Sequence, residues 1–309
     1  MSPFTRSRSD SVAALGEAKL ITAIRHWLGN VAPKSPAGMG DDCAVLPAAK
    51  HAQLITVDPV IYGRHFDDKV PPRDVGAKLL KRNLSDIAAM GGQPTVAVVA
   101  LTLDPRTSQK WLESFYRGLA ACARRYGVSI VGGDITQAKD TVSASLTLLG
   151  TMDGRRTLTR RGAATGDWIY VTGTLGGSLA SGHHYRFTPR LAEGKWLSRQ
   201  SAVTAALDLS DGLAKDIHAL TPTGASPMID AAQLPLRSGF DAKAALSDGE
   251  DYELLFTLSP KANQAAFARK WRQQFTRTRL TCIGRFTASP TQSENSLNLE
   301  CYYGFEHLR

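Results

Sequence analysis

The stretch from Leu54 to Gly92 restricts the possible folds of this 309-residue chain more than any other feature. It begins with an apolar, β-branched run that ends at Val57 and meets Asp58, a pattern typical of a strand that ends in a site. Apolar residues at helical spacing follow and stop at Gly91-Gly92, which is typical of a helix C-terminus. The pattern predicts a strand and a helix that each carry a carboxylate, Asp58 and Asp86.

Aspartates recur at predicted strand ends in the rest of the chain. The set consists of Asp42, Asp58, Asp134 and Asp208, with Asp86 and Asp211 in similar positions. Each could be a solvated surface acid, but six of them are hard to explain as surface decoration in a chain of net charge +9. Carboxylates without cysteine ligands favour hard ions, above all Mg²⁺, which usually shares its coordination with phosphate oxygens. The pattern therefore predicts several Mg²⁺ ions that bring two phosphate groups together for phosphoryl transfer.

The composition argues against several classes of protein. With 43% hydrophobic and 21% charged residues it is typical of an ordinary globular protein, and no apolar run is long enough to span a membrane. Four scattered cysteines argue against a zinc site or a disulfide framework and indicate a reducing compartment, here taken as the cytoplasm. The net charge of +9 favours anionic partners, but no basic run is interleaved with aromatic residues, so nucleic acid is a minor candidate.

Strand-like and helix-like patterns alternate in both halves, which predicts a mixed α/β (α+β) fold with two lobes. A boundary is expected near residue 152. The predicted organisation is a flexible basic tail over residues 1–15, an N-terminal ATP- and metal-binding domain over 16–152, and a C-terminal α/β domain over 153–309. The tail has no apolar core after its arginines, so it is not interpreted as a secretory signal.

Four local features each allow two interpretations. Gly173–Gly177 is predicted to open a helix, and it could hold phosphate or be a plain turn. Ser210 is a good N-cap for a helix, and it could also belong to the site. The acids between Leu246 and Leu255 could face a cation or basic ligand, or form a solvated loop. His65 could be a surface or capping residue, or it could reach the same site as Asp58.

Eight segments together carry a resemblance to a known family. They are GMGDDCAVL, TVDPVIYGRHF, KLLKRNLSDIAAMGG, GGDIT, GRRTLTRRGAATGDWIYVTGTLG, PRLAEG, LDLSDGLAKD and SDGEDYELLFT. The segments occur in the order of the family and extend over almost the whole chain. On these residues the chain resembles the thiamine-monophosphate kinase family, which is part of the superfamily of aminoimidazole ribonucleotide synthetase.

This resemblance implies an ATP-dependent phosphorylation of thiamine monophosphate to thiamine diphosphate, with direct transfer and no covalent enzyme intermediate. It also implies a homodimer in which the mixed sheet of the N-terminal lobe pairs with its twin, next to a C-terminal α/β lobe. No residue is implied as a general base, because the attacking phosphate oxygen is already anionic and the protein aligns and neutralises charge.

The resemblance assigns roles by matching positions. The implied magnesium ligands are Asp42, Thr56, Asp58, Asp86, Asp134, Asp208 and Asp211. The implied ATP contacts are Gly133, Asp134, Arg160 and Ser210. The implied contacts to the thiamine part are His65, Glu250 and Phe305.

The chain departs from the family pattern at three positions. Val57 stands where the family usually has Thr or Ser, Ile135 replaces a Thr, and Asp248 replaces a Gly. The change at Val57 removes a hydroxyl that could have been a metal ligand. Two alternatives follow: an ATP-using enzyme of the same superfamily with another acceptor, or a non-catalytic nucleotide-binding protein.

Overall fold

The computed structural model describes residues 1–41, 43–153, 156–288 and 297–306. Over these ranges the chain divides into two compact units. The first unit comprises Met1–Ile87 and Gln93–Gly154, and the second comprises Ala88–Gly92 and Arg155–Arg309. Each unit contains both helices and a sheet, so the prediction of a mixed α/β fold is confirmed.

Helices and strands of the first unit follow one another along the chain. They are α1 (Val12–Leu15), α2 (Glu17–Leu28), β1 (Lys34–Asp41), β2 (Gln53–Ile61), α3 (Pro72–Ala89), β3 (Gln93–Leu103), α4 (Gln109–Tyr126), β4 (Ser129–Gln137) and β5 (Val142–Thr151). Within the described ranges, four strands form a mixed sheet in the order β2-β5-β3-β4. The β3–β4 pair is parallel, and the other two pairs are antiparallel.

The core of this unit lies where α3 and α4 cover one face of the sheet. Leu79, Leu80 and Leu84 of α3 are fully buried, which contributes roughly 1.5–3 kcal/mol for each side chain. Trp111 of α4 packs with Val60 of β2 on the same apolar interface. The helix predicted to stop at Gly91-Gly92 therefore forms as expected, because its apolar stripe faces the sheet.

The prediction that Asp58 and Asp134 end their strands is wrong. β2 continues to Ile61, and Asp58 pairs with Leu146 of β5. Pro59 is tolerated in β2 because an edge strand has no neighbour on one side that needs its missing N–H. β4 likewise continues past Asp134 to Gln137. Both acids are therefore held by strand backbone and not by a loop.

The first fifteen residues also differ from the expected flexible tail. The Thr5 N–H donates to the carbonyl of Arg106 at 2.9 Å, and the Val12 N–H donates to the carbonyl of Thr107 at 2.9 Å. The Ser108 hydroxyl donates to the Asp10 carboxylate at 2.7 Å. These bonds and the burial of the Val12 side chain place the segment against the loop that precedes α4.

The second unit is built on an antiparallel sheet. Its elements are β6 (Trp168–Thr172), α5 (His183–Arg186), α6 (Leu191–Leu197), β7 (Val203–Asp208), α7 (Leu213–Asp216), β8 (Ser226–Ile229), α8 (Ala242–Ser247), β9 (Leu254–Leu258), α9 (Gln264–Gln274) and β10 (Leu280–Thr287). In the described part of the chain the strand order is β7-β9-β6-β10-β8.

Alternate residues of this sheet enter two separate cores. Ile169 of β6 and Leu255 of β9 belong to a cluster with Leu213. Tyr170 and Phe256, which follow them directly in sequence, belong to a second cluster with Trp271 of α9. Because successive side chains on a strand point to opposite faces, both faces of the sheet are covered. β9 is buried along its whole length, and the acidic segment that precedes it is therefore fixed at one end.

Candidate functional site

In the first unit, candidate ligands lie on the face of β2 that is turned towards α3. Thr56 and Asp58 are two residues apart and so point to the same side of the sheet. The Thr56 hydroxyl donates to the Asp86 carboxylate of α3. The Arg82 guanidinium donates to Asp58 at 3.0 Å and to the Pro59 carbonyl at 2.7 Å. The structure therefore brings Thr56, Asp58 and Asp86 to one face, with Arg82 as the counter-charge of Asp58.

Asp134 lies on the opposite face of the same sheet. The register places Asp58 opposite Leu146, Leu146 opposite Val99, and Val99 opposite Gly133. Asp134 is the next residue, so its exposed side chain points to the other side. The structure does not place it beside Asp58.

Gly133 and Asp134 line a cleft of about 510 Å³ in the first unit. Apolar side chains from α2 and β3 complete its walls, including Ile21 and Val98. A Cβ at Gly133 would lie 2.1 Å from the carbonyl oxygen of Val99. Only glycine therefore permits this close approach of the two strands at the mouth of the cleft.

His65 is buried at 8% exposure and follows β2. Its Nδ1 accepts a hydrogen bond from the Ile61 N–H at 3.1 Å. Its carbonyl accepts a bond at 2.7 Å from the ammonium of Lys78, which is fully buried in α3. These bonds fix the turn after β2. A contact from His65 to a substrate stays a prediction.

In the second unit, Asp208 ends β7 as predicted, and Ser210 and Asp211 follow in a turn. Ser210 does not cap a helix, since the N-cap of α7 is Gly212. Instead the Asp216 carboxylate accepts bonds from the N–H groups of Ser210 at 3.0 Å and Asp211 at 2.9 Å. Burial raises the pKa of Asp216 to about 7, and the nearby carboxylates of Asp211 and Asp208 raise it further.

Two other segments converge on this turn. The Glu250 N–H donates to the Ser210 carbonyl at 2.8 Å, and the Phe305 N–H donates to the Asp211 carbonyl at 2.8 Å. The Lys215 ammonium lies 2.8 Å from the Asp211 carboxylate. Ser210, Asp211, Glu250 and Phe305 are therefore neighbours, although they come from three separate parts of the sequence. Arg160 is exposed, in a segment whose neighbour Thr159 accepts a backbone bond from β7.

Most acids of the segment before β9 have partners within the chain. Asp251 lies 3.0 Å from Arg237, and Glu253 accepts from Arg190 Nε at 2.7 Å. Asp248 accepts from the N–H of Gly177 at 2.7 Å. The interpretation that these acids face an external cation is therefore wrong for these three.

The same bonds exclude the phosphate interpretation of Gly173–Gly177. The Gly176 N–H donates to Asp251 at 3.0 Å, and the Gly177 N–H is bound to Asp248. The expected helix does not start there, because α5 begins only at His183. Sequence reasoning missed Arg190, Arg237 and Asp216 as partners. The segment PRLAEG contains Arg190 and was the one available signal for it.

The donor set fits magnesium by its chemistry. Carboxylate and hydroxyl oxygens are hard ligands, and Mg²⁺ is usually held by only one or two carboxylates in addition to phosphate oxygens. Among the residues with described positions, no group of three or more His, Cys, Asp or Glu side chains is placed to hold one ion. Each unit thus supplies small sets such as Asp58 with Asp86. Asp42 lies outside the described residues.

Comparisons with known proteins agree with these motifs. Residues 40–152 match the family model described as AIR synthase related protein, N-terminal domain. The thiamine-monophosphate kinase of Salmonella typhimurium is 36% identical over 305 residues, which covers 89% of this chain and 91% of that protein. The chain belongs to the thiamine-monophosphate kinase family, and the resemblance found in the sequence is confirmed.

Solved structures have the same fold. The crystal structure of thiamine-monophosphate kinase from Stenotrophomonas maltophilia has a TM-score of 0.72 and 31% identity, covering 87% of this chain and 93% of that chain. The structure of AaThiL complexed with AMPPCP and TMP has a TM-score of 0.69 and 27% identity, covering 99% of this chain and 100% of that chain.

Proposed function

We propose that this chain uses ATP to phosphorylate thiamine monophosphate and releases thiamine diphosphate and ADP. The observation that carries the proposal is the convergence of Ser210, Asp211, Glu250 and Phe305 in the second unit. Family membership supports it, and so does the neighbouring structure that contains AMPPCP and TMP.

The reaction needs alignment more than proton transfer. An oxygen of the substrate phosphate attacks the γ-phosphorus of ATP, the new P–O bond forms, and the bond between the γ-phosphorus and the β–γ bridging oxygen breaks. The attacking oxygen carries negative charge already, so no side chain has to remove a proton. The chain therefore contributes by binding, by orienting the two phosphates and by neutralising their charge.

The proposed magnesium ligands are Asp42, Thr56, Asp58, Asp86, Asp134, Asp208 and Asp211. Bound magnesium would supply charge neutralisation at the transferred phosphoryl group. The Thr56–Asp86 bond and the Arg82–Asp58 pair keep these ligands oriented when they are not engaged by phosphate.

The proposed ATP contacts are Gly133, Asp134, Arg160 and Ser210. Gly133 and Asp134 line the cleft of the first unit, and the exposed Arg160 offers a guanidinium suited to phosphate. The proposed contacts to the thiamine part are His65, Glu250 and Phe305. A carboxylate such as Glu250 suits the positively charged ring of thiamine.

We also propose a homodimer formed by the outer face of the first sheet. Ile55 and Val57 of β2 are 73% and 61% exposed, and Val98 of β3 is 38% exposed. Thr147 of β5 pairs with both Val57 and Val98, so these side chains form one row across the sheet. A contiguous apolar surface of this kind is typical of an interface.

The cytoplasm is the proposed location. All four cysteines lie in the described ranges, and each is a free thiol, which suits a reducing compartment. Within those ranges no helix has the length and apolar character that crossing a bilayer requires.

A coupled assay tests the proposal. ATP, Mg²⁺ and thiamine monophosphate are supplied, and formation of thiamine diphosphate is followed. Product at a rate above an Asp86→Asn control supports the proposal. ATP binding without product would instead favour another phosphate acceptor within the same superfamily. ATP binding that is independent of Mg²⁺ and without turnover on any acceptor would favour a non-catalytic nucleotide-binding protein.

A further inference from the structure

The backbone around Glu250 adopts an unusual conformation. Glu250 has φ of 64° and Tyr252 has φ of 52°, a left-handed region that residues other than glycine rarely occupy. Backbone bonds hold this conformation, from the Glu250 N–H to Ser210 and from the Tyr252 N–H to Leu209, both at 2.8 Å. Such conformations persist only where the surroundings enforce them, and they are concentrated at functional sites.

Two side chains orient the Glu250 carboxylate. The Tyr252 hydroxyl donates to Oε1 at 3.1 Å, and His184 Nδ1 lies 3.3 Å from Oε2. One contact on each oxygen sets both the plane and the direction of the carboxylate. The Glu250 side chain is 17% exposed, whereas Tyr252 and His184 are buried.

The two orienting side chains are themselves fixed by aromatic packing. The Tyr252 ring stacks on Phe187 with centroids 4.1 Å apart and an interplanar angle of 20°. His184 meets Tyr185 edge to face at 4.9 Å. Because His184 lies on α5 and Tyr252 directly precedes the buried end of β9, neither donor can follow a displaced carboxylate easily. A group held in this way is preorganised for a ligand.

We propose that Tyr252 and His184 are positioning residues that determine recognition of the organic, positively charged part of the substrate by fixing the Glu250 carboxylate. This inference rests on the proposed contact between Glu250 and thiamine monophosphate. Neither residue needs to touch the reacting phosphates, so their loss affects binding of one substrate and not the transfer step.

The first test is Tyr252→Phe, which keeps the ring that stacks on Phe187 and removes only the hydroxyl. The KM for thiamine monophosphate is expected to rise about three- to tenfold, the usual value of one hydrogen bond. The KM for ATP and kcat are expected to stay within about twofold, since the bond that is lost belongs to one substrate subsite.

A matched control is Tyr170→Phe in the same unit. Tyr170 is also buried, its hydroxyl donates to Gln264 at 2.7 Å, and its ring stacks on Phe256. It loses a hydroxyl of the same kind that does not orient Glu250. No change in the KM for thiamine monophosphate is expected.

His184 is tested by two substitutions. His184→Ala removes the contact to Glu250 and is expected to raise the KM for thiamine monophosphate. His184→Asn keeps an N–H donor near the position of Nδ1 and is expected to recover most of the affinity. A residue with a purely structural role would show no such rescue confined to one substrate.

Glu250→Gln, measured in parallel, separates the two proposals. If Glu250→Gln leaves the KM for thiamine monophosphate unchanged, the proposed contact is wrong and the inference is overturned with it. If Glu250→Gln raises that KM while Tyr252→Phe and His184→Ala do not, only the inference is overturned. Equal increases in the KM of both substrates would mean general loosening of the fold, which also overturns it.

Discussion

The candidate residues of the two units are positioned in different ways. In the first unit, Thr56, Asp58 and Asp86 lie on a strand and a helix, and regular alternation brings them to one face. In the second unit, Ser210 and Glu250 lie in turns whose backbones are hydrogen-bonded to each other. Ligands on regular elements depend on the register of the fold, whereas ligands on turns depend on a few specific partners.

This contrast predicts where each unit is sensitive. A change at a ligand of the first unit should alter chemistry while the helix and strand persist, because their own backbone bonds hold them. A change at a partner in the second unit should alter the shape of the turn and the stability of the unit together. The substitutions below separate these two responses, from the largest expected effect to the smallest.

Asp86→Asn is expected to lower kcat about a thousandfold with little effect on folding, because it removes a charge that faces the transferred phosphates. The amide oxygen can still accept the bond from Thr56, so the contact between β2 and α3 remains. Steady-state kinetics and the thermal unfolding midpoint measure the two quantities. Asp74→Asn, in the first turn of the same helix, is the matched control and should retain activity. Near-normal turnover in Asp86→Asn would remove Asp86 from the site.

Arg190→Met is expected to destabilise the protein by about 3 kcal/mol, since it leaves the carboxylate of Glu253 buried without its cation. The Glu253 side chain is only 2% exposed, and it receives two bonds from Arg190. The Thr172 hydroxyl also donates to it at 2.7 Å, so the loss reaches β6. Chemical denaturation measures the free energy of unfolding.

Arg117→Met is the control for this substitution. Arg117 forms an exposed pair with Glu113 one turn earlier on α4, and such pairs contribute only about 0.3–0.5 kcal/mol. If both variants lost the same stability, the Arg190–Glu253 pair would not be a special support of the second unit.

The ion pairs mark the limit of what local sequence patterns can predict. The course of α3 follows from a 3.6-residue period, and the position of Asp208 follows from a short apolar run; both were predicted correctly. Arg190 and Glu253 are 63 residues apart, so no periodicity links them. Asp58 was wrongly placed at a strand end because an acid usually interrupts a strand, whereas here Arg82, 24 residues away, compensates its charge inside β2.

A smaller effect is expected from pH in the first unit. Hydrogen bonds from Arg106 hold the pKa of Asp104 well below its usual value, and the N–H of Asp140 adds a further bond. A lowered pKa stabilises the folded state fully above the ordinary carboxyl pKa of about 4, and this contribution is lost as the pH falls below that value.

Asp104→Asn removes this titration. Unfolding free energies measured from pH 6 down to pH 3 should therefore fall less steeply in the variant than in the original chain. An unchanged slope would mean that other carboxylates account for the acid sensitivity. Asp153→Asn, an exposed position in the same unit, serves as the control.

Val57→Thr is expected to have the smallest effect, and it distinguishes the two faces of β2. The sequence suggests that Val57 replaces a hydroxyl ligand, so restoring the hydroxyl should raise magnesium affinity. The structure argues otherwise, because Thr56 faces Asp86 and the next residue must point to the outer face, where Val57 is 61% exposed. The magnesium dependence of kcat should therefore be unchanged. Self-association, measured by analytical ultracentrifugation, should weaken instead, because a polar group enters the apolar row with Val98. A clear rise in magnesium affinity would show that the outer face of β2, and not only the face towards α3, takes part in the site.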